Sequence, residues 1–508
     1  MASSSVINVD LADVWERKDR KDLLRTLAWG DQVKVIKTGS GYLEVELTVF
    51  EEKDDGSVES KKTSGFIVPS KSSKIKTGDI ILPRNKNAVL KVNFVDVQQG
   101  DGAVIESPQG KVMLVDGGDN QMFARYLAAR FLGTSIDKPQ PIECILVTHG
   151  DADHFEGLPK IFESESNPNK RKRLFIEPKR VYHNGIVKRG TKDGKKLPAD
   201  KVLGATKKVD GKLYLVGLED DLLKVPDSAM NKPFLTWKKA LAAYNKRAKI
   251  VFKRLAFGDD EAFDFLKQEN IKVEVLGPLV ETVAGKPALK YLGNPPKGPR
   301  IGHESLETTD LKATGLSPSH TINGHSIVFR MTYGNISFLF SGDLNDEAGR
   351  FLTREHNKGN LNLKAEVFKV PHHGSADFSG AFIQAVAPVV SVVSSGDESA
   401  RKEYIHPRAT LVGALGKWSR VAEPLIFVTE LVAFFALEGW SRVTDAKKDK
   451  KRGEFFAFSR SAFGMVKTRT DGDRLIVYTD SANLKMKEAY AYQIDEAGLL
   501  QSAPVLRA

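Results

Sequence analysis

Thr148-His149-Gly150-Asp151-Ala152-Asp153-His154 is the stretch on which the reading of this chain turns. Four side chains able to bind a divalent cation fall within six residues: His149, Asp151, Asp153 and His154. The run before it, Ile142-Glu143-Cys144-Ile145-Leu146-Val147, is short and mostly apolar, the pattern of a buried strand. A rigid strand that opens onto loops at its C-terminal end can aim several ligands at one point. The chain holds only ten histidines, so two in one turn point to a metal site rather than a solvated polar loop.

The same placement recurs outward from this stretch. Asp116 follows Met113-Leu114-Val115, and Asp343 follows Phe338-Leu339-Phe340 across Ser341-Gly342. Pro371-His372-His373-Gly374-Ser375 follows Val367-Phe368-Lys369-Val370, and a later loop after Val389–Ser394 carries His406-Pro407. Strand ends converging on one crevice are how α/β folds build sites.

At 508 residues the chain is too long for one core, and two or three domains are expected. A composition 41% hydrophobic and 28% charged is that of a globular protein. The single cysteine, Cys144, excludes a disulfide framework and a cysteine-based zinc site. The N-terminal residues show no basic region leading into an apolar core, so no secretory signal is expected. The most apolar run, Leu425 to Leu437, is too short to span a bilayer, carries Glu430, and reads as a buried helix. A cytoplasmic protein without a membrane partner is the expectation, with its oligomeric state open.

The net charge of +11 favours a polyanionic partner, nucleic acid first. The cations cluster at Lys170–Arg173, Lys188-Arg189 through Lys195-Lys196, Lys207-Lys208, and Lys447 to Arg452. Aromatic residues interleave poorly with them, so no base-stacking platform is expected.

Three parts follow from the pattern along the chain. Residues 1–87 open with a helix expected over Leu11 to Leu24. Short alternating strands at Gln32–Ile36, Tyr42–Leu47 and Ser64–Pro69 then predict a small β-barrel, similar to an SH3-like domain. Such a module offers a surface for a protein partner or packs on its neighbour. Residues 88–415 hold the strand-end clusters, with a basic insertion or lid at about 160–270 that includes helices over Trp237–Phe252 and Asp259–Glu269. Lys286 to Pro318 reads as polar loop. Residues 416–508 complete the same fold with strands over Phe455–Thr468 and Leu475–Thr479.

Thr148–His154, Ser341-Gly342-Asp343 and Asp116 in Val115-Asp116-Gly117-Gly118 resemble the metal motifs of the metallo-β-lactamase superfamily. Phe94 to Asp101, Leu114 to Gly118, Pro371 to Ser375 and His406-Pro407 further resemble the hydrolase domain of DNA-internalisation competence proteins. The resemblance covers roughly 90–160 and 272–480. It implies an α/β fold, the metallo-β-lactamase αββα sandwich, and a metal-dependent hydrolase. The sequence departs from the superfamily at Asp151, where a second His is common and the competence branch has Asp. It departs again at Gln98, where that branch often has Gly, and no transmembrane channel accompanies the domain. His325 in Gly324-His325-Ser326 stands where a third-motif ligand would be.

Two divalent cations need a bridging carboxylate, and Asp343 fits. His149, Asp151 and His325 would hold one cation; Asp153, His154 and His372 or His373 the other. If the backbone there stays extended, His372 and His373 point in opposite directions, so one ligates and the other contacts substrate. Such a carboxylate-rich set suits Mn2+ as well as Zn2+. The cations would lower the pKa of a shared water. Asp153, His373 and His406 are the candidate catalytic residues: Asp153 to orient the water or shuttle its proton, His373 to contact substrate, and His406, like Ser375, to bond a phosphate or leaving group. Asp116 would orient a ligand. His183, His303 and His320 read as surface residues. The expected activity is phosphodiester cleavage in nucleic acid or nucleotides. The alternatives are hydrolysis of a small ester, thioester or lactone, and a binding or regulatory protein with a relic metal site.

Overall fold

The computed structural model describes residues 4–52, 58–70, 73–191, 197–294, 314–396, 406–429, 440–442, 456–458, 464–480, 488–496 and 498–508. Two mixed sheets stack face to face. The first runs in the order Val251–Arg254, Arg180–His183, Cys144–Leu146, Val112–Asp116, Gly102–Glu106, Leu90–Phe94, Met465–Thr470, Arg474–Asp480, Ala489–Ile494, Leu500–Ala503. The second runs Ile271–Gly277, Val328–Tyr333, Ile336–Phe340, Val367–Lys369, Val390–Val393, Leu425–Val428.

Side chains alternate across each strand, and both faces are used. Met113 and Val115 enter the core between the sheets, with Phe94, Phe329, Phe338 and Phe340. Val112 and Leu114 point the other way, against Phe123 and Leu127 of the helix Met122–Arg130 and Trp237 and Leu241 of the helix Lys232–Arg247. On the far side of the second sheet, Leu339 and Phe368 meet Leu352 of the helix Asp346–Asn357 and Phe382 of the helix Gly380–Val386. The result is helix, sheet, sheet, helix. Cys144 lies fully buried in the central core.

The N-terminal part is a seven-stranded antiparallel sheet curled as a half-open barrel around its own core, from Ile7 to Ile80. The helix expected over Leu11–Leu24 is instead two strands, Leu11–Trp15 and Leu23–Ala28, paired antiparallel. Leu11–Trp15 is buried on both faces, so it lacks the alternation that marks a half-exposed strand. Trp29 and Leu11 pack with Ile476 and Tyr478 of the first large sheet, so the half-barrel is seated on its neighbour. Leu506 and Ala508 add backbone hydrogen bonds to Leu11 and Asp13.

Three further expectations change. Leu425–Val428 is a strand parallel to Val390–Val393, not a helix; a four-residue apolar run carries no period that separates the two. The rest of that expected helix, 430–437, lies outside the described residues, as do Lys447 to Arg452 and His303. Lys286–Lys290 is a strand within the stretch read as loop. Residues 160–270 are largely built into the sandwich: Arg180–His183 and Val251–Arg254 extend the first sheet, and Lys232–Arg247 packs on its outer face. Among the described residues, Thr206–Val209 and Lys212–Leu215 leave it, joining Lys286–Lys290 in a small separate sheet, and Ile176–Pro178 pairs with Gln140–Ile142 in a two-stranded one. Among the described residues no helix is long and apolar enough to cross a membrane.

Candidate metal centre

The ends of the parallel strands meet where the two sheets face each other. Thr148 follows Cys144–Leu146, and its carbonyl accepts Ile327 N at 2.9 Å, tying that end to the second sheet. The turn at Gly100-Asp101 crosses beneath. Gly100 has φ +104°, and a Cβ there would meet the Asp153 carbonyl at 1.8 Å, so only glycine permits the crossing. Asp101 N donates to that same carbonyl at 3.2 Å.

Asp343 sits at the centre, 3% exposed. Its Oδ1 is 3.2 Å from His154 Nε2, and its Oδ2 lies 3.3 Å from His373 Nε2, 3.8 Å from His149 Nε2 and 3.9 Å from His372 Nε2. Asp153 Oδ2 is 3.4 Å from His373 Nε2 and accepts Gln99 Nε2 at 3.0 Å.

The outer nitrogens of three rings are pinned. His154 Nδ1 donates to Asp116 Oδ2 at 2.9 Å. His373 Nδ1 faces the Ser394 carbonyl at 3.0 Å and Asp101 Oδ1 at 3.2 Å. His149 Nδ1 lies 3.2 Å from Thr148 Oγ1 and 3.3 Å from Ser326 Oγ. Those two hydroxyls already donate, to Asp116 and to the Asn323 carbonyl, so His149 Nδ1 must carry its proton. Each ring therefore turns an Nε2 toward Asp343. His149 Nε2 and Asp343 Oδ1 are buried without hydrogen-bond partners. Two ligand atoms about 2.1 Å from a common cation stand about 3 to 3.5 Å apart, the range of most of these contacts. The donor set fits divalent cations.

The electrostatics agree. Burial alone would discharge His154 and His373, but Asp343, with Asp116 or Asp101, outweighs it and holds both well above the usual histidine range. Burial and then the charge of His154 push His149 well below it. Burial would raise Asp343, yet His373 and His154 hold it well below the usual carboxylate range. The pocket is one that draws positive charge.

His372 and His373 are not extended. Both adopt left-handed backbone, φ +51° and +52°, in the turn Pro371–Gly374, which is why both rings face Asp343. The structure does not bring His325 into the cluster: its Nε2 bonds the Lys290 carbonyl at 2.7 Å, because the residue ends the helix Pro318–Gly324 turned away. Asp151 is held off as well, with one oxygen paired to Lys188. The Asn323 amide, oriented so that its nitrogen faces Asp151, donates to the other oxygen at 3.0 Å. His406 stands beside His372, ring centres 6.4 Å apart, and burial followed by the charges of His373 and His372 brings it down to about 4. Ser375 shapes the loop, its Oγ accepting Asp377 N at 3.2 Å. His183 and His320, expected on the surface, are both buried.

Two participants went unnoticed in the sequence. Asp101, His154, Asp343 and His373 offer ligand atoms all within 4.8 Å of one another. Asp101, however, meets the Nδ1 side of the rings whereas Asp343 meets the Nε2 side, so Asp101 orients His373. Lys369 Nζ then neutralises Asp101 at 2.6 Å, and both are buried. The available signal was a lone lysine within the apolar run Val367–Val370.

Residues 95–189 match the model of the metallo-beta-lactamase superfamily. The chain carries a metallo-β-lactamase domain. Its αββα layers and its buried Asp/His cluster are those of a hydrolase of that superfamily with a candidate site for divalent metal. The chain also resembles ComE operon protein 3 of Bacillus subtilis (strain 168), 33% identical over 121 residues, 22% of this chain and 14% of that protein. It resembles competence protein ComA of Neisseria gonorrhoeae, 37% identical over 86 residues, 17% of this chain and 12% of that protein. The match thus spans about an eighth of each relative's length.

Proposed function

We propose that this metallo-β-lactamase domain is a phosphodiesterase acting on nucleic acid or nucleotides, with two Zn2+ or Mn2+ ions as cofactor. The observation that carries the reading is Asp343, whose two oxygens face four imidazoles within 3.9 Å in a buried pocket. Bound cations would supply charge neutralisation for a phosphodiester and a water acidic enough to ionise near neutral pH. His149, His154, His372, His373 and Asp153 would hold them around Asp343. Burial would raise Asp153, but the hydrogen bond to His373 holds it well below the usual carboxylate range, so it stays anionic and suits holding a cation or accepting a hydrogen bond from a water rather than taking up a proton. His406, neutral at pH 7, serves as a hydrogen-bond partner of the leaving group rather than as its acid. Support for a nucleic-acid substrate comes from the net charge of +11, the exposed Lys170–Lys172, and the competence proteins it resembles.

One observation favours a second reading, a small ester or thioester. An apolar-walled cavity of about 280 Å3, lined by Leu292, Leu344 and Phe351, reaches Ser326 beside His149.

The test is a substrate panel of DNA, RNA, bis-p-nitrophenyl phosphate and p-nitrophenyl acetate. It is run with Mn2+ or Zn2+ on wild type and Asp343→Ala, with bound metal measured on both. Phosphodiester cleavage that disappears together with bound metal in Asp343→Ala supports the first reading. Cleavage of the acetate alone selects the second, and wild type without bound metal or activity defeats both.

A further inference from the structure

A polar cavity of about 360 Å3 lies where the half-barrel meets the first sheet. It shares no lining residue with the metal centre. Five cationic side chains line it, Arg25, Lys91, Arg130, Lys467 and Arg469, against two carboxylates, Asp31 and Glu106. Glu106 is already engaged at both oxygens, by Lys91 Nζ at 2.7 Å and by Arg130.

Arg469 is the informative member. It is 2% exposed, yet among the described residues no carboxylate pairs with it. Its Nη1 donates to Asn93 Oδ1 at 2.9 Å and to the Thr468 carbonyl at 2.8 Å, while its Nε is buried without a partner. Arg130 Nε is likewise buried and unpartnered. A buried guanidinium is costly unless an anion meets it. A second cavity of about 480 Å3 shares Gln32, Lys91 and Glu106 and adds Arg84, extending the basic cleft.

We propose that this interdomain cavity binds the phosphate group of a small phosphorylated molecule. Guanidinium groups arriving from separate elements suit a tetrahedral dianion that accepts several charge-assisted hydrogen bonds. A volume of about 360 Å3 is within the range of small-ligand sites. Arg25 comes from the half-barrel, and Lys467 and Arg469 from the first sheet, so the ligand fastens one to the other. The site stands independently of what the metal centre hydrolyses.

The experiment is calorimetric titration of the full chain with inorganic phosphate and with adenosine 5′-monophosphate, at fixed ionic strength. Three proteins are compared: wild type, Asp343→Ala, and the double variant Arg25→Gln, Lys467→Gln. The double variant changes partly exposed positions and leaves the buried Arg469 in place. One-to-one binding is expected in wild type and in Asp343→Ala, with affinity at least about tenfold weaker in the double variant. Bound phosphate should also raise the unfolding temperature of wild type. Tighter binding of the nucleotide than of phosphate would identify a nucleotide site; phosphate binding alone, a site for the free ion. No binding to wild type, loss of binding in Asp343→Ala, or undiminished affinity in the double variant overturns the proposal.

Discussion

The ammonium of Lys188 rests against the carboxylate of Asp151. A basic side chain from the stretch after Arg180–His183 thus neutralises a member of the Thr148–His154 turn. Removing that ammonium takes a positive charge from the edge of the cation pocket and frees Asp151 to join its ligands. Lys188→Met should tighten divalent cation binding by about tenfold, roughly 1.4 kcal/mol. Metal titration of the two proteins reads this directly, and equal or weaker binding in the variant would count against competition.

Asp116 acts through His154. Its Oδ2 takes the Nδ1 proton at 2.9 Å, and its two oxygens also hold Thr148 N and Oγ1, at 2.8 and 2.7 Å. Asp116→Ala should weaken metal binding about 10- to 100-fold, with His154 no longer aimed at Asp343. Metal affinity by competition with a chelator is the measurement. An unchanged affinity would reduce Asp116 to a turn residue.

Lys369 and Asp101 form a buried pair beneath His373. Removing only the lysine strands a carboxylate in the core. Lys369→Met should destabilise the protein by about 3 to 5 kcal/mol. Adding Asp101→Asn should recover part of this, because the amide oxygen can still accept from His373. Denaturant unfolding of the single and double variants tests it. Additive losses would rule out the coupling.

His183 links stability to pH. Its Nδ1 accepts Gly185 N at 3.0 Å, and its Nε2 faces the Asp220 carbonyl at 3.3 Å, which suits the neutral ring only. Burial holds it down to about 4. A folded-state pKa below the unfolded value of about 6.5 means its contribution is complete above pH 6.5. It is lost as pH falls toward 4. His183→Asn keeps an acceptor for Gly185 and does not titrate there. The stability difference between wild type and variant should therefore shift against wild type by roughly 2 to 3 kcal/mol from pH 7 to pH 4. A difference that stays flat would place the titration elsewhere.

What could be read in the sequence was what is local. Asp343 and the His372-His373 pair stand directly after apolar runs, and a strand end needs no distant information to be recognised. The two-layer fold follows from the same runs. What escaped depends on direction or on distant pairing. His325 has a ligand's identity, but the end of a short helix aims it at Lys290. His372 and His373 share a side only because both take left-handed backbone. Leu11–Trp15 loses its alternation because partners far along the chain cover both its faces. Arg180–His183 and Val251–Arg254 looked like parts of an insertion because four-residue parallel strands carry too few residues to show a period.

The seating of Leu506 and Ala508 on the half-barrel bears on how the protein is made. Leu506 N donates to Asp10 Oδ2, 496 positions away, and Arg507 grips Asp13 at 2.9 Å. At roughly 5 to 20 residues per second, the ribosome delivers Leu506 about 25 to 100 seconds after Asp10. Until then Leu11–Trp15 lacks its closing contacts. The region synthesised early is among the last to be sealed, and its open edge is the surface a nascent-chain chaperone would have to shield.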